Sequence, residues 1–253
     1  MSKLFSNGCS FLSTRPKDGV HTFVTQILAK QYNLQLFNLA MGGRGNDRIS
    51  FTTKVWFEQN RHQDTFAVIG WSSSHRNDYV TNDGWKKGRI PGTELTWRTW
   101  KTVDNLRFIE GKPGWDIENN AIMSFLDNVF DLQNYFERNK IPYVMYNALP
   151  NDSKSKVKKD WWRHGSHDFD IIAKAINMDR FFKFDTSHLE YIMDGKLNAS
   201  PSVKHLVTNK LRKKNSTNEL IVSPKDPHPS VKGHTQWANE LKEFIDVNNL
   251  RTI

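Results

Sequence analysis

The sequence predicts an α/β protein with a doubly wound, mostly parallel β-sheet. Short apolar segments with the pattern of strands alternate with longer segments in which apolar residues recur at helical spacing. The segment 66–71 (Phe-Ala-Val-Ile-Gly-Trp) is nearly all apolar, as in a strand that is buried on both faces of a parallel sheet. With 253 residues, 37% of them hydrophobic and 12% aromatic, the chain is long enough for a sizeable core. We therefore expect a single domain over residues 1–253.

The first part of the chain contains the clearest alternation. Strands are predicted at Lys3–Ser6 and Gln35–Ala40, and between them a helix is predicted over 18–32. A glycine-rich turn then leads into a second helix, which we expect Asn46 or Asp47 to cap.

The second part adds a long helix at 118–138, whose apolar residues form two adjacent rows, and a fourth strand at Tyr143–Leu149. The last helix is predicted to begin near Ser230. Two stretches interrupt the alternation. The first, about 72–117, is a long insertion rich in Trp and Gly, and the second, about 151–222, is basic and irregular.

Composition limits the partners and the location of the protein. The formal charge is +9, with basic residues concentrated in 154–163 and 204–214. No nucleic-acid motif accompanies this charge, so we expect a solvated surface and no nucleic-acid partner. Cys9 is the only cysteine, which excludes an intrachain disulfide. No apolar run approaches the roughly 18 residues of a membrane span, and no signal-peptide pattern is present, so we expect a cytoplasmic protein without a membrane partner.

Two short segments at opposite ends of the chain contain the residues of a candidate catalytic site. Ser10 follows the first strand in Gly8-Cys9-Ser10, and Asp226-Pro227-His228-Pro229 stands just before the last helix. A serine, a histidine and an aspartate are the components of an activated hydroxyl nucleophile. In a doubly wound sheet the functional loops gather at the carboxyl ends of the strands. The sequence therefore predicts a serine hydrolase if the fold brings these ends together.

Four segments resemble, in order and strand context, the four sequence blocks of the SGNH (GDSL-like) hydrolases. They are Gly8-Cys9-Ser10, Asn38-Leu39-Ala40-Met41-Gly42-Gly43, Gly70-Trp71-Ser72-Ser73 and Asp226-Pro227-His228-Pro229. The resemblance implies that Ser10 is the nucleophile and that the backbone N–H of Gly43 donates to the oxyanion. It also implies an esterase that needs no cofactor and uses an acyl-Ser10 intermediate, with a small-molecule or glycan ester as substrate. Removal of a small acyl group from carbohydrate would fit the habit of the family.

The chain departs from the family pattern at three positions. Cys9 replaces the usual Asp before the serine, where the side chain is outside the triad. Ser72 replaces the oxyanion Asn, so that Ser72 or the amide of Asn77 would supply this donor. The acid stands two residues before His228 instead of three. Asp226 would therefore orient the imidazole from a shifted position, or a backbone carbonyl would do so.

Within this scheme His228 is the general base, since its ordinary pKa near 6.5 suits proton transfer at neutral pH. His234, one turn into the last helix, is a rival base, and Cys9 is a less favoured nucleophile. We expect Trp71 and Arg44 to contact the substrate. The tryptophans of 71–115 either stack on sugar rings or pack the insertion onto the sheet.

Three further interpretations stay open at this point. The first is a non-catalytic binding or structural protein on the same fold, because the acid is shifted and the oxyanion Asn is missing. It could have protein partners in a virion, since the third-strand Gly-Trp and the ending His-Pro-Ser-x-x-Gly-His also resemble phage-encoded members. The second is an acyl or sulfuryl transferase. The third is a metal site, for which His164, His167, Asp168 and Asp170 offer ligands, but their spacing matches no standard site, so we expect no metal.

Overall fold

The structure, a computed structural model, describes residues 2–60, 64–82, 95–101, 117–151, 167–193, 218–223 and 226–252. In chain order the strands are β1 (Lys3–Gly8), β2 (Gln35–Asn38), β3 (Thr65–Trp71), β4 (Arg76–Thr81), β5 (Thr96–Lys101), β6 (Tyr143–Asn147), β7 (Phe181–Phe182), β8 (Ile221–Ser223) and β9 (Asp226–Pro229). The α-helices are α1 (Val24–Gln31), α2 (Asn46–Gln59), α3 (Ile117–Arg138), α4 (His167–Ala175), α5 (His188–Ile192) and α6 (Val231–Val247). Short 3₁₀ helices lie at Ser10–Leu12, Pro16–Asp18 and Met178–Arg180.

The central sheet has five strands in the order β2-β1-β3-β6-β7, and every neighbouring pair is parallel. This is the flavodoxin-like doubly wound order, so the predicted fold class is confirmed. The order reverses between β1 and β3, and in such sheets the ligand site lies at the carboxyl ends of the strands beside this switch point. Within the described residues, no helix is long and apolar enough to cross a membrane.

Two hydrophobic clusters cover the two faces of the sheet. On one face, side chains of β1, β3 and β6 pack against α1 and α6, with Leu4, Val68, Val144, Leu28 and Trp237 among the buried residues. On the other face, the alternate residues of the same strands pack against α2 and α3 and include Phe5, Ile69, Met145, Ile49 and Phe136. Both faces of the central strands are therefore apolar, which explains the continuous hydrophobic run that predicted β3.

The close approach of β1 and β3 depends on glycine. Gly8 pairs with Gly70, and a Cβ on Gly8 would lie 2.6 Å from the carbonyl oxygen of Gly70 and 2.9 Å from Cδ1 of Leu12. The short helix that carries Ser10 can therefore pack directly on the ends of the two strands.

The first helix begins later than predicted. A 3₁₀ turn over Pro16–Asp18 ends at Gly19, whose φ of 72° is in the left-handed region, and Arg15 bridges Val20. These contacts make the segment after Ser10 a compact hairpin-like loop, so that α1 starts only at Val24.

The predicted cap of α2 is also corrected. Gly45 is the N-cap residue and no side chain of the helix start provides the cap. The carboxylate of Asp78, in β4, takes this role: its Oδ2 accepts from the backbone N–H of Arg48 at 3.0 Å, and its Oδ1 accepts from Thr99 Oγ1 at 2.6 Å. The β4–β5 hairpin of the insertion is thereby fixed to the N-terminus of α2.

Two buried histidines lie close together, His188 at the start of α5 and His234 in the first turns of α6. His188 and His234 are 0% and 1% exposed, with ring centroids 5.5 Å apart, and His188 stacks on Trp237 at 4.8 Å. Burial lowers the pKa of His188 well below 6.5 and that of His234 to about 3. Both imidazoles are therefore neutral in the folded protein at neutral pH.

This arrangement predicts a loss of stability in mild acid. The unfolded chain binds protons at both histidines below about pH 6.5, whereas the folded chain excludes them, so stability is complete above that pH and falls as the pH is lowered. Each histidine contributes a slope of about 1.4 kcal/mol per pH unit. Urea unfolding at pH 7, 6 and 5 should show this dependence of the free energy of unfolding on pH. The variant His188→Phe, which keeps the aromatic stack, should lower the slope by about 1.4 kcal/mol per pH unit, the contribution of one proton. An unchanged slope in the variant would contradict the assignment.

Candidate active site

The fold brings the two ends of the chain together at the carboxyl edge of the sheet. Ser10 is the first residue of the short helix that follows β1, and His228 lies in β9, which pairs with β8 just before α6. The Oγ atom of Ser10 lies 2.9 Å from Nε2 of His228. This is a hydrogen-bond distance between a hydroxyl and the nitrogen that would take its proton.

Asp226 completes the arrangement in spite of its shifted position. Its Oδ1 atom lies 2.5 Å from Nδ1 of His228 and accepts from the backbone N–H of the same histidine at 3.2 Å. A carboxylate can only accept, so Nδ1 carries the proton and Nε2 is free to accept from Ser10. In the extended backbone of β9, residues two apart project to the same side. The carboxylate of Asp226 can therefore reach both Nδ1 and the backbone N–H of His228.

Arg15 fixes the orientation of Asp226 from the other side. Its Nη2 and Nη1 atoms donate to Oδ2 and Oδ1 of Asp226 at 2.6 and 3.3 Å, and its Nε donates to Oδ2 of Asp18 at 2.8 Å. The planar guanidinium is well suited to such a two-point contact with a carboxylate. The loop after the nucleophile is thus joined to the strand that holds the acid and base.

These contacts set the protonation states of the pair. Burial lowers the pKa of His228, and the charges of Arg15 and Arg76 lower it further, while Asp226 acts in the opposite direction. Burial alone would raise the pKa of Asp226, but the hydrogen bonds and charge of His228, together with Arg15, lower it overall. At neutral pH the site therefore holds a neutral imidazole and an ionised carboxylate, which are the states that a general base and its orienting acid need.

Backbone N–H groups suitable for an oxyanion lie beside Ser10. Ser10 begins a 3₁₀ helix, so its own N–H has no partner within the helix. Gly42 is adjacent, since a Cβ on it would lie 3.7 Å from Cβ of Ser10, and Gly43 has a φ of 82°, which favours glycine. Among the described residues no acceptor is bonded to the N–H of either glycine. Gly42, to which sequence reasoning gave no role, is thus the glycine next to Ser10, and Gly43 follows it in the chain.

Ser72 directly follows β3, and its buried hydroxyl is hydrogen-bonded to Arg76. It is 0% exposed, and its Oγ accepts from Nη1 of Arg76 at 3.1 Å. Its backbone is held by two asparagines: Ser72 N–H donates to Asn46 Oδ1 at 2.8 Å, and Asn151 Nδ2 donates to the Ser72 carbonyl at 2.8 Å. The other predicted donor, Asn77, lies in β4, and its side chain is outside the described part of the chain.

The structure buries both residues for which we expected substrate contacts. Trp71 is 0% exposed, and its indole Nε1 lies 3.4 Å from Sδ of Met145, inside the core on the α2 and α3 side. Arg44 is 8% exposed, and its Nη1 donates to Oδ1 of Asn7 at 3.2 Å. Asn7 in turn donates to the carbonyl of Ile49 in α2, so Arg44 links the glycine-rich turn to β1 and α2. Trp71 continues the alternation of Ala67 and Ile69 on this face, whereas Arg44 lies in the turn before α2, where no periodicity applies.

The rival assignments are also decided by burial. Cys9 is 0% exposed and packs in the core with Val24 and Leu28, so it does not compete with Ser10. His234 is buried in the core below the site, with a pKa lowered by burial to about 3, so it is not placed as the base. Trp97 packs on Phe51 with ring centroids 5.6 Å apart, which favours a packing role for that tryptophan.

Several predictions concern residues or side chains that lie outside the part of the chain that the structure describes. These are the other tryptophans of the insertion, the two basic clusters and the side chains of the histidines and aspartates at 164–170. Within the described residues there is no group of three or more His, Cys, Asp or Glu side chains that could hold a metal ion.

Sequence reasoning missed the residues that support Asp226 and Ser72. Arg15, Arg76, Asn46 and Asn151 all bond to Asp226 or Ser72 from distant parts of the chain. None of them belongs to a motif, and the only available signal was the proximity of Asn46 and Arg76 to the predicted blocks.

Comparison with known proteins gives structural likenesses only. No protein-family model and no curated protein matches the chain. Among solved structures, the psychrotrophic esterase EstA from Pseudoalteromonas sp. is 12% identical, with 98% of each chain covered and a TM-score of 0.46. A catalytic mutant of an acetylxylan esterase from Geobacillus stearothermophilus is 14% identical, with 96% of this chain and 94% of that chain covered and a TM-score of 0.46. A GDSL-like lipase from Bacteroides thetaiotaomicron is 11% identical, with 97% and 88% covered and a TM-score of 0.41.

Proposed function

We propose that this chain is a serine esterase of the SGNH (GDSL-like) type, which hydrolyses esters through an acyl-Ser10 intermediate. The observation that supports this most strongly is the continuous hydrogen-bonded series from Ser10 Oγ through both ring nitrogens of His228 to Asp226. Ser10 comes from the start of the chain and Asp226 and His228 from its end, and all three stand in segments that resemble the sequence blocks of the family. Such a series activates a hydroxyl that is otherwise a weak nucleophile.

The reaction follows from these contacts. His228 takes the proton of Ser10 Oγ through Nε2 while the oxygen attacks the carbonyl carbon of the ester. Asp226 stabilises the imidazolium that forms, and the N–H groups of Ser10 and Gly43 donate to the carbonyl oxygen as it becomes negative. The imidazolium then protonates the departing alcohol, and a water molecule activated by His228 releases the acid from Ser10.

The described residues support ester hydrolysis without identifying the alcohol or the acyl group of the substrate. A small acyl group on a carbohydrate was expected from family habit and from the tryptophans, but the described Trp71 and Trp97 are buried. We therefore propose ester hydrolysis as the function and treat the glycan as one member of a substrate panel. The panel would contain nitrophenyl esters of two to eight carbons and an acetylated oligosaccharide.

The test uses the full chain with nitrophenyl acetate and a serine-directed fluorophosphonate. We expect turnover, and we expect one phosphonyl group per chain on the peptide that contains Ser10, as mapped by mass spectrometry. Turnover without any adduct at Ser10 would contradict the mechanism. A folded protein with neither turnover nor labelling, across the whole panel, would favour the alternative of a non-catalytic binding or virion component.

A further inference from the structure

The position of the missing oxyanion asparagine is filled in an unusual way. Ser72 stands there, but its hydroxyl is fully buried and accepts from the guanidinium of Arg76 at 3.1 Å. Asn46 and Asn151 hold the backbone of Ser72 on both sides. Ser72 is thus held in place by its backbone hydrogen bonds, and its hydroxyl in turn positions the guanidinium of Arg76.

The register of the sheet places this support beside the nucleophile. Gly8 of β1 pairs with Gly70 of β3, and Ser10 and Ser72 each follow two residues later. Both serines therefore lie just past the carboxyl ends of two paired strands, whose backbones are about 5 Å apart. The guanidinium bonded to Ser72 Oγ is therefore held near the carboxyl ends of β1 and β3, the two strands that flank the switch point.

The backbone of Arg76 is also held against the site. Its N–H donates to the carbonyl of Ser73 at 3.0 Å. A side chain on Gly45 would overlap its carbonyl group, so Arg76 packs directly on the turn that contains Gly43. The charge of Arg76 is close enough to His228 to contribute to the lowering of the pKa of that histidine.

Arg76 is left with unused hydrogen-bond donors. A guanidinium has five N–H donors, and among the described residues one of them is bonded, to the neutral hydroxyl of Ser72. No carboxylate of the described part pairs with Arg76, in contrast to Arg15, which contacts Asp18 and Asp226. A half-buried cation that pairs with no carboxylate of the described residues, near the strand ends that carry Ser10 and Ser72, is suited to an anion that appears only during the reaction.

We propose that Arg76 is a catalytic residue that donates a hydrogen bond to the substrate carbonyl oxygen as Ser10 attacks. This inference rests on the proposed esterase function. In the step, the bond between Ser10 Oγ and the carbonyl carbon forms, the Oγ proton passes to His228 Nε2, and the π electrons of the carbonyl move to its oxygen. Arg76 and the backbone N–H groups of Ser10 and Gly43 stabilise that oxygen until the C–O bond to the alcohol breaks and His228 returns the proton to the leaving alcohol.

Arg76→Met removes the donors and the charge while it keeps the length of the aliphatic side chain. With nitrophenyl acetate we expect kcat to fall about 10²- to 10³-fold, the loss typical of one oxyanion donor, with little change in KM. The acid limb of the pH–rate profile should also shift to higher pH, because the pKa of His228 rises when a neighbouring positive charge is removed. Arg138→Ala, on the exposed end of α3, is the matched control and should leave both quantities unchanged.

Arg76→Ala provides a second and independent readout. Added guanidinium ion should restore a substantial part of its turnover in a saturable way, which a purely structural defect would not allow. Either variant decides the question if the other does not fold, as judged by thermal unfolding.

The failures of the two proposals are distinguishable. Wild-type protein without turnover and without a phosphonyl adduct at Ser10 overturns the esterase function itself. Wild-type turnover with an adduct at Ser10, together with a kcat within about threefold of wild type in a folded Arg76 variant, overturns the role of Arg76 alone.

Discussion

Replacement of Ser10 by alanine is expected to lower kcat for nitrophenyl acetate by about 10⁶-fold, the loss typical of a triad without its nucleophile. The reason is that the acyl group has no other acceptor: Cys9 is buried in the core, and among the described residues Ser10 is the serine bonded to His228. Labelling by the fluorophosphonate should disappear in the same variant. Initial rates and intact-mass analysis of the labelled protein measure the two effects.

The matched control is Ser2→Ala, which removes an exposed hydroxyl just before β1 and should change neither rate nor labelling. Stability should be almost unaffected in Ser10→Ala, because one half-exposed hydrogen bond contributes about 1 kcal/mol or less. Turnover within tenfold of wild type in a folded Ser10→Ala protein would show that another group is the nucleophile.

The sequence was sufficient for the main elements because each carries a local signal. The alternation of buried strands and amphipathic helices predicted the doubly wound sheet, and the apolar run of β3 predicted its central position. By contrast, β7 consists of Phe181 and Phe182, a segment too short to have a periodicity. The first helix was predicted too early because the 3₁₀ turn at Pro16–Asp18 lies directly before it and is held by contacts rather than by pattern.

In the candidate site, too, only the residues that stand in a recognisable sequence block could be predicted. Ser10, Asp226 and His228 belong to short blocks of recognisable order, and the structure places them in contact. Arg15 and Arg76 have no such context, since their roles depend on which carboxylate or hydroxyl the folded chain brings to them. A charged residue in a loop is usually solvated, so no single-sequence argument could have separated these two arginines from the other basic residues.

The acid of the triad is the position at which the chain departs most from the family pattern, and Asp226→Asn tests it directly. We expect kcat to fall by about 10⁴-fold, because an amide in place of the carboxylate no longer fixes the proton on Nδ1 or stabilises the imidazolium. Loss of the carboxylate also removes the interaction that raises the pKa of His228, so any residual activity should show its acid limb at lower pH. A pH–rate profile of kcat measures both effects.

Asp18→Asn is the matched control for this variant. Asp18 accepts from the same guanidinium, that of Arg15, as Asp226 does, but it makes no contact with His228. The control therefore weakens the same arginine cluster without removing the acid of the triad, and we expect its rate to stay within a fewfold of wild type. If the two variants lose activity equally, Asp226 acts through the loop and not through the imidazole. If Asp226→Asn keeps nearly full activity, a backbone carbonyl orients His228, and the shifted acid is not needed. A large loss confined to Asp226→Asn would establish that an aspartate two residues before the histidine can orient it, because the folded-back carboxylate is held in place by Arg15 on its far side.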